Sequence, residues 1–129
     1  MKILIFIAII VSLTACKQHT VNTIQSLSRE STTVQFSKSK KPYKAKEEVG
    51  GEQINTTTIK AKANETYLIE VSADNDSLQF YIDGSSLDIQ IVDNNPLKKK
   101  VTTQTQTDIE LSFTAHPDSS VYHLKIKKL

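Results

Sequence analysis

Three side chains of the kinds used in hydrolytic catalysis lie close together near the carboxyl terminus: His116, Asp118 and Ser119. A histidine next to a serine can in principle act as the base that activates a nucleophile. However, nucleophile and base normally come from separate elements of a fold, and the chain has no Gly-x-Ser-x-Gly turn of the kind that exposes a catalytic serine. The sequence therefore predicts that the protein is not an enzyme.

The histidines and acidic residues also lack the spacing of a metal site. None of the three histidines falls at metal-binding distance in sequence from another histidine or from the single cysteine, Cys16. Asp74, Asn75 and Asp76 offer oxygen ligands suited to calcium, but the spacing of a calcium-binding loop is absent. A turn explains these residues better, so neither a metal nor a cofactor is expected.

The chemistry that the sequence does support is attachment of lipid to Cys16. This cysteine follows Leu13-Thr14-Ala15, at the end of an apolar run that starts at Ile3 and is headed by Lys2. An apolar run of this length is typical of a secretory signal peptide and is too short to span a bilayer. A cysteine at the cleavage point indicates a bacterial lipoprotein signal. The alternatives are an ordinary secretory signal cut nearby, or a short anchor helix.

A lipid-modified Cys16 would anchor the mature chain, because two or more acyl chains bind a membrane stably. The next residue is Lys17 rather than the aspartate associated with retention in the inner membrane of double-membraned bacteria. We therefore predict a protein anchored in the outer membrane and facing the periplasm. With one cysteine, no disulfide can form within the domain.

Three segments are predicted: the signal peptide at 1–15, the lipidated cysteine and a flexible tether rich in serine and threonine at 16–31, and one folded domain at 32–129. Cleavage removes Lys2, which leaves fifteen of the sixteen basic residues against fourteen acidic ones. A nearly neutral chain gives no support for nucleic-acid binding. Lysine clusters such as Lys98–Lys100 are typical of solvated loops and strand ends, and an acidic partner surface is the alternative.

The domain has the pattern of an all-β protein. Short runs of β-branched and aromatic residues are separated by turn-forming residues, and seven or eight such runs follow at intervals of about ten residues. This spacing predicts a small antiparallel β-sandwich. Turns are expected at Asn64, which tolerates a left-handed backbone, and at Asp83-Gly84. The clearest apolar stripes are Tyr67/Ile69/Val71, Ile109/Leu111/Phe113 and Tyr122/Leu124/Ile126.

The order of these elements resembles the pre-peptidase C-terminal type of β-sandwich, through the Ala63-Asn64 turn, the Leu87–Asp93 strand and the closing strand. Within that group, the layout from about Val34 to Ile126 is similar to the periplasmic g-type lysozyme inhibitor family. The closing "S-G-x-Y" element of that family corresponds here to Ser119-Ser120-Val121-Tyr122, with serine at the glycine position.

This resemblance implies a protein that blocks an enzyme by occupying its substrate groove. The grooves of glycosidases contain two acidic residues, so hydroxyl and cationic side chains are suitable complements. Ser119, Tyr122 and Lys99, in a Lys98–Lys100 loop, are the candidate contacts. The alternative places Tyr122 in the core and Ser119 in a simple turn.

Two classes of function therefore remain. The first is an inhibitor or immunity-type protein that binds a cell-wall lytic enzyme, such as a lysozyme, in the periplasm. The second is a structural or assembly lipoprotein that docks on an envelope or secretion complex. In both classes the partner is a protein, and the membrane is reached through Cys16.

Overall fold

The computed structural model describes residues 29–36 and 41–129, which form nine strands in two facing sheets. The strands are β1 (Arg29–Val34), β2 (Tyr43–Val49), β3 (Ile54–Ala61), β4 (Thr66–Ala73), β5 (Leu78–Asp83), β6 (Leu87–Val92), β7 (Asn95–Thr103), β8 (Thr107–Ala115) and β9 (Ser120–Lys128). The strand order is β1-β3-β8-β5 in the four-stranded sheet and β2-β9-β4-β7-β6 in the five-stranded sheet. The predicted all-β sandwich is confirmed, with nine strands rather than seven or eight.

The predicted signal peptide, Cys16 and the tether up to residue 28 lie outside the described residues. Strand β1 begins at Arg29, three residues before the predicted start of the folded domain at Thr32. Within the described part of the chain, no helix is long and apolar enough to span a membrane.

Most connections between strands cross from one sheet to the other. Only β6 and β7 are consecutive and paired, and they are joined at Asp93 and Asn94, whose φ angles are 55° and 54°. Two positive φ angles are the mark of the tight hairpin turn that matches strand twist. The predicted turn at Asp83-Gly84 and the one at Asp74–Asp76 link the two sheets instead of closing hairpins. Strand β1 pairs with β3 in parallel, an exception to the predicted antiparallel pairing.

The core lies between the sheets and is built from the stripes predicted by the alternation of apolar residues. All nine residues of the three stripes are buried. The Phe113 ring stacks between the rings of Phe80 and Tyr122, at centroid distances of 5.1 and 4.3 Å. Stacked aromatic rings contribute beyond the area they bury, so this trio links β5, β8 and β9 across the sandwich.

Two strands that the sequence analysis missed, β2 and β7, are rich in lysine. Lys98–Lys100, predicted as a loop, is part of β7 and pairs with β4 and β6. Lysine is compatible with these strands because Lys98 and Lys100 extend from the outer face of the sheet, next to solvent. The lysines therefore obscure the alternating apolar pattern of β7 in the sequence, but they do not prevent the strand from forming.

The turn at Asn64 forms as predicted, with a φ angle of 60° at that residue. It is held by Thr103, which is fully buried. The Thr103 hydroxyl donates to the Lys62 carbonyl at 2.6 Å and accepts from the Glu65 amide at 3.0 Å. This turn thus places the Glu65 side chain between β4 and the end of β9.

Glu65 is the centre of a polar network at this end of the sandwich. Its carboxylate accepts hydrogen bonds from the Tyr67 hydroxyl at 2.9 Å and from the Lys62 amide at 2.6 Å, and it forms an ion pair with Lys128. Burial raises the pKa of Glu65, but these donors outweigh burial and hold the pKa below its ordinary value. Burial and the neighbouring carboxylate together raise the pKa of Tyr67.

Glu65→Gln is expected to lower the free energy of unfolding by about 2 kcal/mol at neutral pH, because charge-assisted hydrogen bonds are lost. Since the folded-state pKa of Glu65 is depressed, its contribution is complete above the unfolded pKa, near 4.5, and is lost as the pH falls through the folded-state value. Urea unfolding at neutral and acidic pH should show the difference between wild type and variant shrink in acid. Glu52→Gln, at an exposed position, is the control; a gap between wild type and Glu65→Gln that persists in acid would contradict the assignment.

Candidate functional site

Four loops meet at the opposite end of the sandwich from Glu65. They are residues 50–53, 74–77, 93–94 and 116–119, and we call this surface the Ser119 end. Antiparallel pairing places them at the same end: β4 runs towards this end, β7 and β9 run away from it, and Ala73 pairs with Tyr122 near the start of β9. Loops that are distant in sequence are thereby brought to one end of the sandwich.

The loop that carries Ser119 is held by the 74–77 loop. The Asn75 amide group donates to the Ser119 carbonyl at 2.8 Å, and its oxygen accepts from the Ser77 amide at 2.9 Å. The Ser77 carbonyl in turn accepts from the His116 amide at 3.0 Å. An asparagine that bonds the backbone two residues ahead forms an Asx turn, so Asn75 shapes its own loop and fixes its neighbour.

Asp74 fixes the start of β9 from the same side. One of its carboxylate oxygens accepts from the Val121 amide at 3.1 Å and from the Ser120 hydroxyl at 3.2 Å. Ser120 occupies the glycine position of the "S-G-x-Y" element, and its side chain is buried. A serine at this position has less backbone freedom than glycine, and its hydroxyl forms a hydrogen bond that orders this loop.

Gly50 supports the loop from the other side. A Cβ atom at this position would lie 2.5 Å from the Ser119 Cβ, closer than non-bonded carbon atoms approach each other in proteins, so the Ser119 loop would have to shift. The adjacent Gly51 has a φ angle of 61°, and the turn closes with a hydrogen bond from the Gln53 amide to the Gly50 carbonyl at 3.1 Å. Close backbone approach thus requires glycine here, and Ser119 is held from both sides.

Ser119 is exposed. Its carbonyl accepts a hydrogen bond from the Asn75 amide group. The other two candidate contact residues, Tyr122 and Lys99, do not lie on this surface.

Tyr122 is a core residue, the alternative interpretation of the sequence. Its side chain is 1% exposed, its ring stacks on Phe113, and its hydroxyl accepts from the Asn55 amide group at 3.2 Å. Asn55 also donates to the Glu48 carbonyl at 3.0 Å. Tyr122 thus links β9 to β2 and β3, and its side chain is buried inside the sandwich.

Lys99 lies far from Ser119. It pairs with Ile69 and Ile91 near the middle of β7 and extends from the inner face of the five-stranded sheet. Its ammonium group is 5.0 Å from the centre of the Phe80 ring, a cation–π contact. The fold therefore separates the three candidate residues: one at a loop end, one in the core and one at a side of the sandwich.

The Ser119 end is acidic. Its loops carry five exposed carboxylates, from Glu52, Asp74, Asp76, Asp93 and Asp118, and no lysine or arginine. The nearest described cation is Lys98, whose ammonium group is 2.9 Å from Asp93. Among the described residues, no cluster of three or more histidine, cysteine or acidic side chains could hold a metal ion. The arrangement suits contact with a basic surface rather than with the carboxylates of a glycosidase.

The outer face of the five-stranded sheet has the opposite charge. Strand alternation places six lysines there against three acidic residues, Glu48, Glu70 and Asp88; the lysines are Lys44, Lys46, Lys98, Lys100, Lys125 and Lys127. Four of them, with Glu70 and His123, line a shallow groove: Lys44, Lys46, Lys98 and Lys125. Lys44 lies directly opposite Lys125, and like charges in this position repel each other. The nearly neutral chain is thus polarised, which the net charge alone does not reveal.

Sequence reasoning missed most of this site because its residues come from four separate loops. Asp74 and Asn75 are noticeable in the sequence only as turn formers, and Gly50 follows β2, a strand that the sequence does not predict. Nothing local in the sequence indicates that Gly50 must contact Ser119. The one available signal was the run of turn residues around Ser119 itself.

Neither a protein-family model nor a curated protein sequence matches the chain. Its fold is similar to solved structures of periplasmic inhibitors of g-type lysozyme from three bacteria. The Aeromonas hydrophila inhibitor is 14% identical with a TM-score of 0.58, and the similarity covers 78% of this chain and 99% of the inhibitor. A mutant of the Escherichia coli inhibitor is 17% identical with a TM-score of 0.57, and the similarity covers 79% of this chain and 99% of the inhibitor. The Salmonella Typhimurium inhibitor is 13% identical with a TM-score of 0.52, and the similarity covers 78% of this chain and 98% of the inhibitor.

Proposed function

We propose that this chain is a lysozyme-inhibitor-like periplasmic protein that binds a peptidoglycan-degrading enzyme and blocks it without chemistry. The observation that carries the proposal is the similarity in fold to three inhibitors of g-type lysozyme over almost their whole length. At 13–17% identity this similarity concerns the fold, so the partner is our inference.

The Ser119 end is the surface we assign to the enzyme. It is built from loops fixed on a rigid sandwich, and such loops lose little freedom on binding. Asn75 and Gly50 hold the Ser119 loop from two sides. The surrounding carboxylates favour a partner that presents lysine or arginine around its groove, and Ser119 adds a hydroxyl donor at the centre.

The test is an inhibition assay on bacterial cell walls with lysozymes of several types. The chain from Lys17 onward should inhibit a g-type lysozyme at a near-stoichiometric ratio and leave lysozymes of other types active. Activity of every lysozyme unchanged at micromolar chain would refute the proposal. In that case an assembly role on an envelope complex becomes the better account.

We further propose that Cys16 carries the lipid that holds this domain at the outer membrane, facing the periplasm. The sequence around Cys16 supports this assignment, as does the fold similarity to periplasmic proteins. Between Cys16 and the start of β1 at Arg29 lie twelve residues, which can span up to about 40 Å when extended. An anchored domain could therefore meet enzymes that enter the periplasm.

Cys16→Ser is expected to abolish lipid attachment and to release the chain from the membrane fraction. Metabolic labelling with a clickable palmitate analogue, followed by membrane fractionation, measures both effects. Ser26→Ala, in the predicted tether, is the matched control and should keep the label. Equal labelling of wild type and Cys16→Ser would contradict the proposed anchor.

A further inference from the structure

One side of the sandwich is open, because the two sheets have unequal numbers of strands. Lys99 of β7 lies over Phe80 of β5, so β7 covers the last strand of the four-stranded sheet. Strand β6 extends one strand further, and no described strand lies opposite it. Its inner face therefore remains uncovered.

The uncovered face of β6 is apolar. Ile89 and Ile91 are 42% and 60% exposed, although their paired neighbours in β7 extend from the same inner face. Val101, the neighbour of Ile89, is fully buried. These isoleucines have the placement of core residues without a layer to pack against, and exposed apolar surface of this kind marks interaction sites.

The edge of β5 that borders this gap lacks the usual protection against pairing. The one charged residue of β5 is Asp83, at its last position, and residues 78–82 include no charged residue, proline or bulge, which are the devices that normally keep edge strands from pairing. By contrast, β2 presents Lys44, Lys46 and Glu48 along its edge, and the pairing of β6 has an irregularity at Ile91/Val92. Strand β5 thus offers a free backbone edge directly beside an apolar gap.

We propose that β5 is a docking edge for one extended segment of a partner protein, which completes the four-stranded sheet beneath β6. A strand paired with β5 would lie about 4.8 Å from it and about 10 Å from β6, the spacings of neighbouring strands and packed sheets. Its side chains at alternate positions would cover Ile89 and Ile91. Main-chain hydrogen bonds would supply affinity, and the side chains facing the gap would supply specificity.

The structure also limits the chemistry of the occupant. Lys99 forms its cation–π contact with Phe80 but no ion pair with any described residue. A carboxylate among the inward-facing residues of the segment would complement this ammonium group. The segment is therefore apolar at alternate positions, with one acidic residue in the same register.

A second copy of this chain does not fit the same gap. If two copies paired through β5, strand β6 of each copy would extend over β5 of the other copy. That space is already filled by β7 of the other copy, so the two five-stranded sheets would clash. The overhang thus admits a single strand and excludes a continuous sheet across two copies. The occupant is therefore an extended segment that is not itself packed against a second sheet of its own protein.

A short fluorescent peptide tests the proposal without any lysozyme, and so independently of the proposed function. In this peptide threonine alternates with valine, and a glutamate replaces one valine; isomers carry the glutamate at each valine position in turn. Fluorescence anisotropy with the chain from Lys17 onward should show saturable binding by at least one isomer. Hydrogen exchange should show new protection of β5 amides in the complex.

Two variants of β6 localise the site. Ile91→Lys places a charge on the inner face and should weaken peptide binding at least about tenfold, whereas Gln90→Lys, on the outer face of the same strand, should change it less than about twofold. Both positions are exposed, so the fold should persist. Absence of binding by every isomer, equal losses in both variants, or a dimer of the chain that Ile91→Lys dissociates would each overturn the proposal.

Discussion

Tyr122→Ala is expected to destabilise the sandwich by about 3–5 kcal/mol, the cost of removing a large buried aromatic side chain. The ring is 1% exposed, stacks on Phe113 and connects two sheets, so its loss leaves a cavity that rigid strands cannot close. Tyr122→Phe keeps the ring and removes the acceptor of the Asn55 hydrogen bond, which should cost about 1 kcal/mol. Urea unfolding followed by circular dichroism measures both.

Tyr81→Ala is the matched control, because Tyr81 is 56% exposed on the outer face of the other sheet. It should change the free energy of unfolding by less than about 0.5 kcal/mol. If Tyr122→Ala cost no more than Tyr81→Ala, the ring would have to lie at the surface. Tyr122 would then be a candidate contact for the partner protein, which is the other interpretation of the sequence.

Charge reversal at the Ser119 end should have the largest effect on binding of the proposed enzyme partner. Asp76→Lys combined with Asp118→Lys replaces two exposed carboxylates with cations on a surface assigned to a basic partner. Loss of attraction and new repulsion together should weaken affinity for g-type lysozyme about 100-fold or more, since charge pairs across an interface are worth several kcal/mol. Isothermal titration calorimetry at low and high salt measures the change.

The control carries the same change in net charge at another place. Asp83→Lys combined with Glu110→Lys alters two exposed carboxylates on the outer face of the four-stranded sheet, where these residues pair across β5 and β8. This variant should weaken affinity less than about threefold, through long-range attraction only. Equal losses in both double variants would show that net charge, not the Ser119 end, governs binding.

The strands that can be predicted from the sequence are those in which apolar and polar residues alternate. In β4, β8 and β9 every second residue is buried, and the three stripes were identified correctly from their period of two. Asn64 was also identified, because few residues other than glycine tolerate its φ angle. These features depend on neighbours in sequence, and local rules suffice for them.

What could not be predicted depends on contacts between distant residues. The sequence predicts a loop at Lys98–Lys100 because three lysines obscure the alternation of β7, which is stabilised by pairing with β4 and β6. Whether Tyr122 faces a partner or the core is decided by Phe113 and Asn55, from two other strands. The acidic Ser119 end arises from four loops, none of which is unusual alone.

The most direct test of the central claim is competition for the substrate groove of g-type lysozyme. Calorimetric titration of the enzyme with the chain from Lys17 onward should give a one-to-one complex, and a saturating chito-oligosaccharide in the groove should weaken the apparent affinity in proportion to its own occupancy. Such competition is expected if the Ser119 end binds the basic residues around the groove and covers its opening. A complex whose affinity is unaffected by the oligosaccharide, or no complex at all, would contradict this account.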